Sequence, residues 1–392
     1  MRLHRNSRNG EVTLIEDFRA EAMGHGRVDL ASGTWERGIL PFPLCVFNDT
    51  NIAPGYPDLR GLPKLREQIA KHYGAPISPE NVFVTQGATG GIMTTLAALT
   101  ETGEEVLTVA PCYPGILDVT RQLGLSIRTV PAVPCEGHSF GAIDWTALRT
   151  ALSPKTKIIF LCDPDNPTGR VLDEKDYCQA AALCAHYGVF LVVDRTYEAF
   201  SIQKTIVSTA KIFGPNTIII GSISKSLAAA SLRVGWILAP YTIDRSVVVT
   251  IDAQFGGVTQ FAQEIVARAL SQDLLSTLHQ VAKERHQELS EFIQQAGLLA
   301  WPVGGGIFMC VETTASSERD AWTALAHQGV IGIPGFAFSV HAQSSASFVR
   351  LCFARSSKTI ASAGHHLTRM RAKHLSVHKN QKNKHYEKEV HN

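Results

Sequence analysis

The sequence has almost no net charge. Its 37 lysine and arginine residues nearly balance 35 aspartate and glutamate residues, which gives a formal net charge of +2 at pH 7. The basic excess lies mainly in residues 373–392. A protein body without a basic patch gives no case for nucleic-acid binding.

The chain also lacks long apolar runs. No stretch is long enough to cross a bilayer, so we expect no association with a membrane. Residues 1–10 carry charge but have no apolar core behind them, which argues against a secretory signal. The sequence therefore predicts a protein that is neither membrane-bound nor secreted.

Paired cysteines are missing as well. The eight cysteines show none of the paired spacings that are typical of zinc sites, and most lie in apolar runs. We therefore expect reduced thiols in the core of a cytoplasmic protein, and no metal site. The cysteines are Cys45, Cys112, Cys135, Cys162, Cys178, Cys184, Cys310 and Cys352.

Short apolar runs alternate with helix-length segments in the first two thirds of the chain. The predicted strands cover 81–85, 105–109, 157–161, 189–193 and 217–220. Continuous apolar runs of this kind are typical of strands that are covered on both faces. The pattern predicts an α/β fold in which helices cover a mostly parallel sheet.

Two further patterns outline the domains. Residues 62–74 have proline in the first turn and glycine at the end, which predicts a helix. A long helix over 278–296, followed by short strands over 306–311 and 347–353, indicates a smaller α+β domain. We predict an N-terminal arm and part of the small domain over 1–45, a large domain over 46–280, a small C-terminal domain over 281–372 and a disordered tail over 373–392.

Polar residues stand at the ends of several predicted strands. Asp194 closes the strand over 189–193, and Lys225 follows the strand over 217–220. In open α/β sheets, ligands bind at the carboxyl ends of the strands. Arg350 lies inside an apolar strand, where its guanidinium needs an anionic partner such as a carboxylate.

Each of these features has a structural alternative when it is taken alone. Lys225 could be an exposed lysine on a turn, and Asp194 could cap a helix. Asn166, in Asn-Pro-Thr-Gly, could simply form a turn. The partner of Arg350 could be an internal Asp or Glu, and Tyr113 could be a core aromatic residue.

Taken together, the residues favour a site for pyridoxal phosphate. A lysine amine binds an aldehyde, and a strand-end aspartate such as Asp194 pairs with a protonated pyridine nitrogen. The glycine-rich turn at Gly87 opens a predicted helix, whose N-terminus suits a phosphate. Arg233, downstream of Lys225, adds a cation.

In their order, these segments resemble the class I/II aminotransferase family of fold-type I pyridoxal-phosphate enzymes. The matching segments are 55–61, 87–89, 113–114, 166–169, Asp194 with Tyr197, 222–225, 233–236, 334–335 and Arg350. The resemblance covers about residues 25–370. It implies a seven-stranded-type sheet in the large domain, and a homodimer with shared active sites.

The resemblance also implies residue roles. Lys225, Asp194 and Tyr113 correspond to catalytic residues, with Lys225 forming a Schiff base to the cofactor. The implied cofactor-binding residues are Lys225, Gly87, Ala88, Thr89, Tyr113, Asn166, Asp194, Tyr197, Ser222, Ser224 and Arg233, together with Tyr56, which reaches the phosphate of the neighbouring subunit. The predicted substrate-binding residues are Arg350, Asn166, Gly33 and Trp35.

The reaction that the resemblance implies is transamination from an L-amino acid to a 2-oxo acid, through the Lys225 Schiff base and a quinonoid intermediate. The segments 31–38 and 227–231 depart from the usual family pattern. They leave open a pyridoxal-phosphate lyase or cyclase, for example one acting on hydroxyarginine. A regulatory protein that has kept the fold is a further alternative.

Arg195 stands where the family more often has an acidic residue, and we expect it to point away from the cofactor.

Overall fold

The computed structural model describes residues 18, 21, 26–33, 35–36, 55–135, 138–271, 274–312, 318–339 and 348–369. Most of the predicted N-terminal arm and all of the predicted tail lie outside these residues.

The strands and helices are numbered here in chain order within the described residues. The strands are β1 Val28–Asp29, β2 Val82–Thr85, β3 Glu105–Ala110, β4 Ser126–Pro131, β5 Val133–Cys135, β6 His138–Ala142, β7 Thr156–Cys162, β8 Phe190–Asp194, β9 Thr217–Ser222, β10 Gly235–Leu238, β11 Leu299–Ala300, β12 Phe308–Glu312, β13 Val330–Ile331, β14 Ile333–Pro334 and β15 Phe348–Cys352. The helices are α1 Pro63–Tyr73, α2 Gly87–Leu99, α3 Pro114–Gln122, α4 Trp145–Ala151, α5 Glu174–Tyr187, α6 Thr209–Ile212, α7 Ile223–Ser226, α8 Asp244–Phe255, α9 Gln260–Leu270, α10 Leu274–Gln295, α11 Glu318–His327 and α12 over 357–369.

A seven-stranded sheet has the order β2-β10-β9-β8-β7-β3-β4. Its strands run parallel except β10, which is antiparallel to both β2 and β9. The predicted fold class, with a mostly parallel sheet, is confirmed. Because β7, β8 and β9 are adjacent and parallel, the residues that follow them meet at one edge of the sheet.

Both faces of this sheet are buried. Successive side chains of a strand point to opposite faces, so Phe160 and Val192 pack in one core while Leu161 and Val193 pack in the other. This arrangement explains why the central strands β7, β8 and β9 have nearly continuous apolar runs, whereas the edge strand β4 has exposed polar positions.

Local sequence sets the helix ends. Helix α1 has proline in its first turn and stops at Gly74. Helix α5 starts after Asp173, whose side chain accepts a hydrogen bond from the Asp176 backbone N–H, and it ends at Gly188 with φ of 65°. In the described ranges, none of the helices has the length and apolar character needed to cross a membrane.

A second, antiparallel sheet of four strands has the order β11-β12-β15-β14. Helices α10, α11 and α12 contribute apolar residues to the core beside it, among them Leu289, Leu325 and Leu367. Strand β1 pairs with β13 next to this core. A smaller α+β part is therefore present, while the residue boundaries of the domains stay predictions.

Most of the described cysteine thiols lie in the core. Cys112, Cys162, Cys184, Cys310 and Cys352 are free and buried. Cys178 differs, because it lies on the exposed side of α5. Cys45 and the side chain of Cys135 lie outside the described part of the chain. The cytoplasmic location stays a prediction.

Gly235 allows the first turn of α2 to sit directly against β10. A Cβ atom at this position would lie 2.5 Å from the carbonyl carbon of Gly87 and 2.8 Å from the amide nitrogen of Ala88. These are backbone atoms, which cannot rotate away as a flexible side chain does. The position of α2 therefore depends on the missing side chain.

Replacing this glycine should destabilise the protein. We expect Gly235→Ala to lower the free energy of unfolding by about 1–3 kcal/mol, the usual cost of overpacking. The measurement is urea unfolding followed by fluorescence. Gly214→Ala is the matched control, since its Cβ would meet only the Thr217 Oγ1 atom at 3.9 Å. Equal stability of the two variants would contradict the close packing at Gly235.

Candidate active site

A cavity of about 340 Å³ lies at the carboxyl edge of the large sheet, and the smaller sheet closes part of it. Asn166, Asp194 and Lys225 reach it from the ends of β7, β8 and β9, while Arg350 reaches it from β15. The cavity is lined by Ser32, Gly33, Ala88, Thr89, Tyr113, Asn166, Asp194, Thr196, Tyr197, Ser224, Lys225, Ala230, Arg233, Phe308 and Arg350.

Most of the predicted site residues therefore line one cavity. The remaining four are not part of its wall. Gly87 lies against the guanidinium of Arg233, and Ser222 lies behind Ser224. Trp35 is buried, and its Nε1 donates to the Lys225 carbonyl oxygen at 3.0 Å. Tyr56 is 96% exposed and is not part of the wall of this cavity.

Lys225 lies in the short helix α7 that follows β9. Ser222 caps this helix, because its Oγ accepts a hydrogen bond from the Ser224 backbone N–H at 3.1 Å. Burial lowers the pKa of the Lys225 amine to about 8, and the nearby positive charges of Arg350 and Arg233 act in the same direction. The neutral, nucleophilic form of this amine is therefore more populated near neutral pH than that of an ordinary lysine.

Asp194 presents a buried carboxylate to the cavity. Its Oδ1 atom accepts hydrogen bonds from the backbone N–H and the hydroxyl of Thr196, at 3.0 and 2.5 Å. Burial raises the pKa of Asp194, while the hydrogen bonds from Thr196 and the charge of Lys225 oppose that rise. A carboxylate in this environment is stabilised by a cationic partner bound in the cavity.

Arg350 is buried, with 1% of its surface exposed. Its Nη1 donates to Asn166 Oδ1 and its Nη2 to the Ala31 carbonyl oxygen, both at 2.9 Å. The guanidinium carbon lies 4.1 Å from the ring centre of Phe308 and 4.9 Å from that of Phe338. Within the described residues, Nε has no hydrogen-bond partner and no Asp or Glu pairs with the guanidinium. The Arg350 guanidinium therefore has hydrogen-bonding capacity left for a bound carboxylate.

Two tyrosines face the same cavity. The ring of Tyr113 passes so close to Gly115 that a Cβ atom there would lie 2.4 Å from it. Tyr197 packs edge-on against Phe308, with ring centres 5.4 Å apart. Burial raises the pKa of Tyr113, and it raises that of Tyr197 well above the usual value. Both hydroxyls therefore stay protonated and can donate hydrogen bonds.

A cradle for an anion lies at one end of the cavity. Helix α2 begins at Gly87, so the backbone N–H groups of Ala88 and Thr89 belong to its first turn. Arg233 lies beside this turn, and a Cβ atom at Gly87 would come within 2.6 Å of its Nη2. The hydroxyl of Ser224 completes the set. Helix N–H groups, a hydroxyl and a guanidinium suit a phosphate group.

Four cavity residues were not predicted as site residues: Ser32, Thr196, Ala230 and Phe308. Thr196 lies in the turn after Asp194, whose carboxylate accepts hydrogen bonds from its backbone N–H and hydroxyl, and an Asp followed two residues later by Thr is a turn signal that could have identified it. Phe308 comes from the smaller sheet, more than a hundred positions along the chain from Asp194. Only tertiary packing brings it to the cavity.

The chain resembles known proteins over most of its length. The profile of the family described as "Aminotransferase class I and II" matches residues 34–367. A probable N-succinyldiaminopimelate aminotransferase of Mycobacterium tuberculosis is 29% identical over 354 residues, which cover 86% of this chain and 88% of the relative. A probable aspartate/prephenate aminotransferase of Thermus aquaticus is 25% identical over 314 residues, which cover 77% of this chain and 80% of the relative.

The fold of the chain is also similar to that of a solved structure. The N-succinyldiaminopimelate aminotransferase from Mycobacterium tuberculosis matches with a TM-score of 0.84 at 26% sequence identity. The match covers 91% of this chain and 96% of that chain.

The lowered pKa of Lys225 predicts an unusual pH dependence. In cofactor-free protein, the reaction of Lys225 with an amine-specific reagent should have a midpoint near pH 8, because its pKa is lowered to about 8 and only the neutral amine reacts. The rate is measured by mass spectrometry of the peptide that contains Lys225. The exposed Lys175 provides the reference rate in the same sample. A midpoint at about 10.4, the value of a free lysine, would contradict the effect of burial.

Proposed function

The chain belongs to the class I and II aminotransferase family, and we propose that Lys225 is the residue through which it binds its cofactor and catalyses amino transfer. The protein is an aminotransferase that uses pyridoxal 5'-phosphate and acts on amino and 2-oxo acids. One observation carries the proposal: a lysine with a lowered pKa, a buried carboxylate and a buried guanidinium line one cavity. The comparisons support this reaction and give no support to a lyase or a cyclase.

The residues of the cavity fit the cofactor. The cradle at Ala88, Thr89 and Arg233 suits its phosphate, and the carboxylate of Asp194 suits its pyridine nitrogen. Tyr113 offers a flat ring for stacking. When bound, pyridoxal phosphate supplies an aldehyde that joins to an amino nitrogen and a ring that accepts the electrons released when the Cα proton leaves.

Arg350 and Asn166 bind the α-carboxylate of the amino acid. The guanidinium offers Nε, which has no other partner, and the Asn166 side chain holds Nη1 in place. The rings of Phe308 and Phe338 lie close to the guanidinium carbon, so the fork is held in a defined orientation and water is kept from it. This contact fixes the Cα atom relative to Lys225.

Lys225 moves the proton of the substrate Cα, and Asp194 holds the proton of the pyridine nitrogen. The Nζ atom of Lys225 takes the proton from the substrate Cα and later returns one, for which a pKa of about 8 is well suited. Asp194, supported by Thr196, keeps a proton on the pyridine nitrogen. Asn166 and Tyr197 also line the cavity, and their side chains would donate hydrogen bonds to the phenolic oxygen of the ring.

Loss of the lysine amine should abolish the reaction. Lys225→Ala should lose the visible absorbance of the protein-bound cofactor and at least 1,000-fold of the turnover, on the order of what removal of a catalytic base and nucleophile costs. The assay follows product formation from an amino acid with and without an added 2-oxo acid. Lys175→Ala, an exposed lysine, is the control and should behave as wild type.

Two outcomes would count against the proposed function. Turnover of Lys225→Ala at the wild-type rate would remove the assigned role of the lysine. Multiple turnovers in the absence of any 2-oxo acid would show a reaction other than transamination.

We also propose a homodimer in which Tyr56 completes the neighbouring site. Tyr56 is almost fully exposed, at 96%, although it is a large aromatic residue, and it lies in the segment that leads to α1. The cradle of the same chain is open enough to leave Arg233 exposed. A tyrosine hydroxyl from the partner subunit would add a further donor to the phosphate.

Mixed dimers test this arrangement. Lys225→Ala and Tyr56→Ala subunits, refolded together, should form heterodimers that contain one complete site, with Lys225 from one chain and Tyr56 from the other. At limiting cofactor the mixture should be at least several-fold more active than the sum of the two variants alone. Tyr241→Ala, at another exposed tyrosine, is the control and should bind the cofactor as wild type does. A monomeric mass in sedimentation, or no gain on mixing, would contradict shared sites.

A further inference from the structure

Arg195 directly follows Asp194 but points away from the cavity, as expected from the sequence. It is buried, with 2% of its surface exposed, and each arm of its guanidinium has a partner. Nη1 donates to Asp163 Oδ2 at 2.6 Å, Nη2 donates to the Val207 carbonyl oxygen at 2.6 Å, and Nε contacts Glu198 Oε2 at 3.3 Å. Arg195 is therefore a buried cation whose guanidinium is held by protein partners outside the cavity.

Asp163, the ion-pair partner of Arg195, also joins the two ends of the segment 163–172. Asp163 is fully buried at the end of β7, and its Oδ1 accepts a hydrogen bond from the Leu172 backbone N–H at 3.0 Å. The same carboxylate thus binds Arg195 with one oxygen and the far end of the 163–172 turn with the other. The hydroxyl of Tyr177 donates to Oδ2 as well, at 2.6 Å.

This turn carries Asn166, which contacts Arg350. Asn166 Oδ1 accepts a hydrogen bond from Arg350 Nη1 at 2.9 Å. The ion pair lies where β7 and β8 end side by side, since Cys162 pairs with Asp194 in the sheet and the Asp163 backbone N–H donates to the Asp194 carbonyl oxygen at 3.0 Å. The pair therefore ties the turn that bears Asn166 to the strand that bears Asp194.

We propose that Arg195 is a positioning residue that, through Asp163, holds Asn166 and hence Arg350 where the substrate carboxylate binds. The inference rests on the proposed role of Arg350. The effect is transmitted by a short chain of direct contacts: Arg195 to Asp163, Asp163 to the turn, and Asn166 to Arg350. If the turn shifts, the carboxylate contact weakens, while Lys225, which lies in α7 after β9, is not part of the connection.

The test separates binding from chemistry. Single-turnover reactions of the holoenzyme with an amino acid give the dissociation constant and the rate constant separately. Arg195→Met and Asp163→Asn should each raise the dissociation constant at least 10-fold and lower the rate constant by a smaller factor. The double variant should bind no more weakly than the weaker single variant, because both substitutions break the same connection.

Two further variants keep the test decisive. Tyr177→Phe removes the hydrogen bond to Asp163 Oδ2 and the one that the Tyr177 hydroxyl accepts from Arg195 Nη1, but it leaves the ion pair. It should therefore fold and weaken binding several-fold even if Arg195→Met does not fold. Arg128→Gln breaks another ion pair of a buried carboxylate, Arg128 Nε to Glu105 Oε2 at 2.9 Å, outside the cavity. It should lower thermal stability without changing the dissociation constant.

Unchanged binding in the folded Arg195, Asp163 and Tyr177 variants would overturn the positioning role, and so would additive losses in the double variant. A lower rate constant with unchanged binding would overturn it too. Wild-type transamination in the same assay tests the proposed function separately, so the two ideas can fail independently.

Discussion

The buried guanidinium of Arg350 is the contact on which the architecture of the cavity depends. It extends from the smaller sheet, binds Asn166 at the edge of the large sheet and binds the Ala31 carbonyl near β1. Burying a charge without a counter-charge is costly, and the two aromatic rings and two oxygen atoms compensate only in part. In the proposed function, a bound carboxylate completes the compensation. The same side chain would then both join the two parts of the protein and bind the anionic group of the substrate.

The charges in the cavity form a consistent set. Lys225, Arg233 and Arg350 outnumber Asp194 among the charged side chains that line it, so the cavity attracts phosphate and carboxylate groups. The same excess of positive charge helps to lower the pKa of Lys225. Asp194 provides the one negative charge of the described wall, and in the proposed function it pairs with the protonated ring nitrogen. The arginines that attract anionic groups therefore also help to lower the pKa of Lys225.

Much of this site could be predicted because parallel strands end at one edge. The apolar runs in the sequence predicted β7, β8 and β9. Because these strands are parallel and adjacent, the residues that follow them lie close together at one edge of the sheet. The sequence could not reveal how distant segments pack. Trp35 was predicted to bind substrate, whereas its ring nitrogen donates to the backbone of Lys225 from behind the cavity wall. The partner of Arg195 was equally hidden, because the register of β7 with β8 decides which carboxylate it meets.

The central claim is that Lys225 carries the cofactor, and chemical trapping tests it most directly. Borohydride reduces a lysine-bound pyridoxal phosphate to a stable secondary amine, which survives proteolysis. Peptide mass spectrometry of the reduced holoenzyme should find the added pyridoxyl phosphate on Lys225, at a stoichiometry of about one per chain. Modification of a different lysine, with Lys225 left free, would contradict the account.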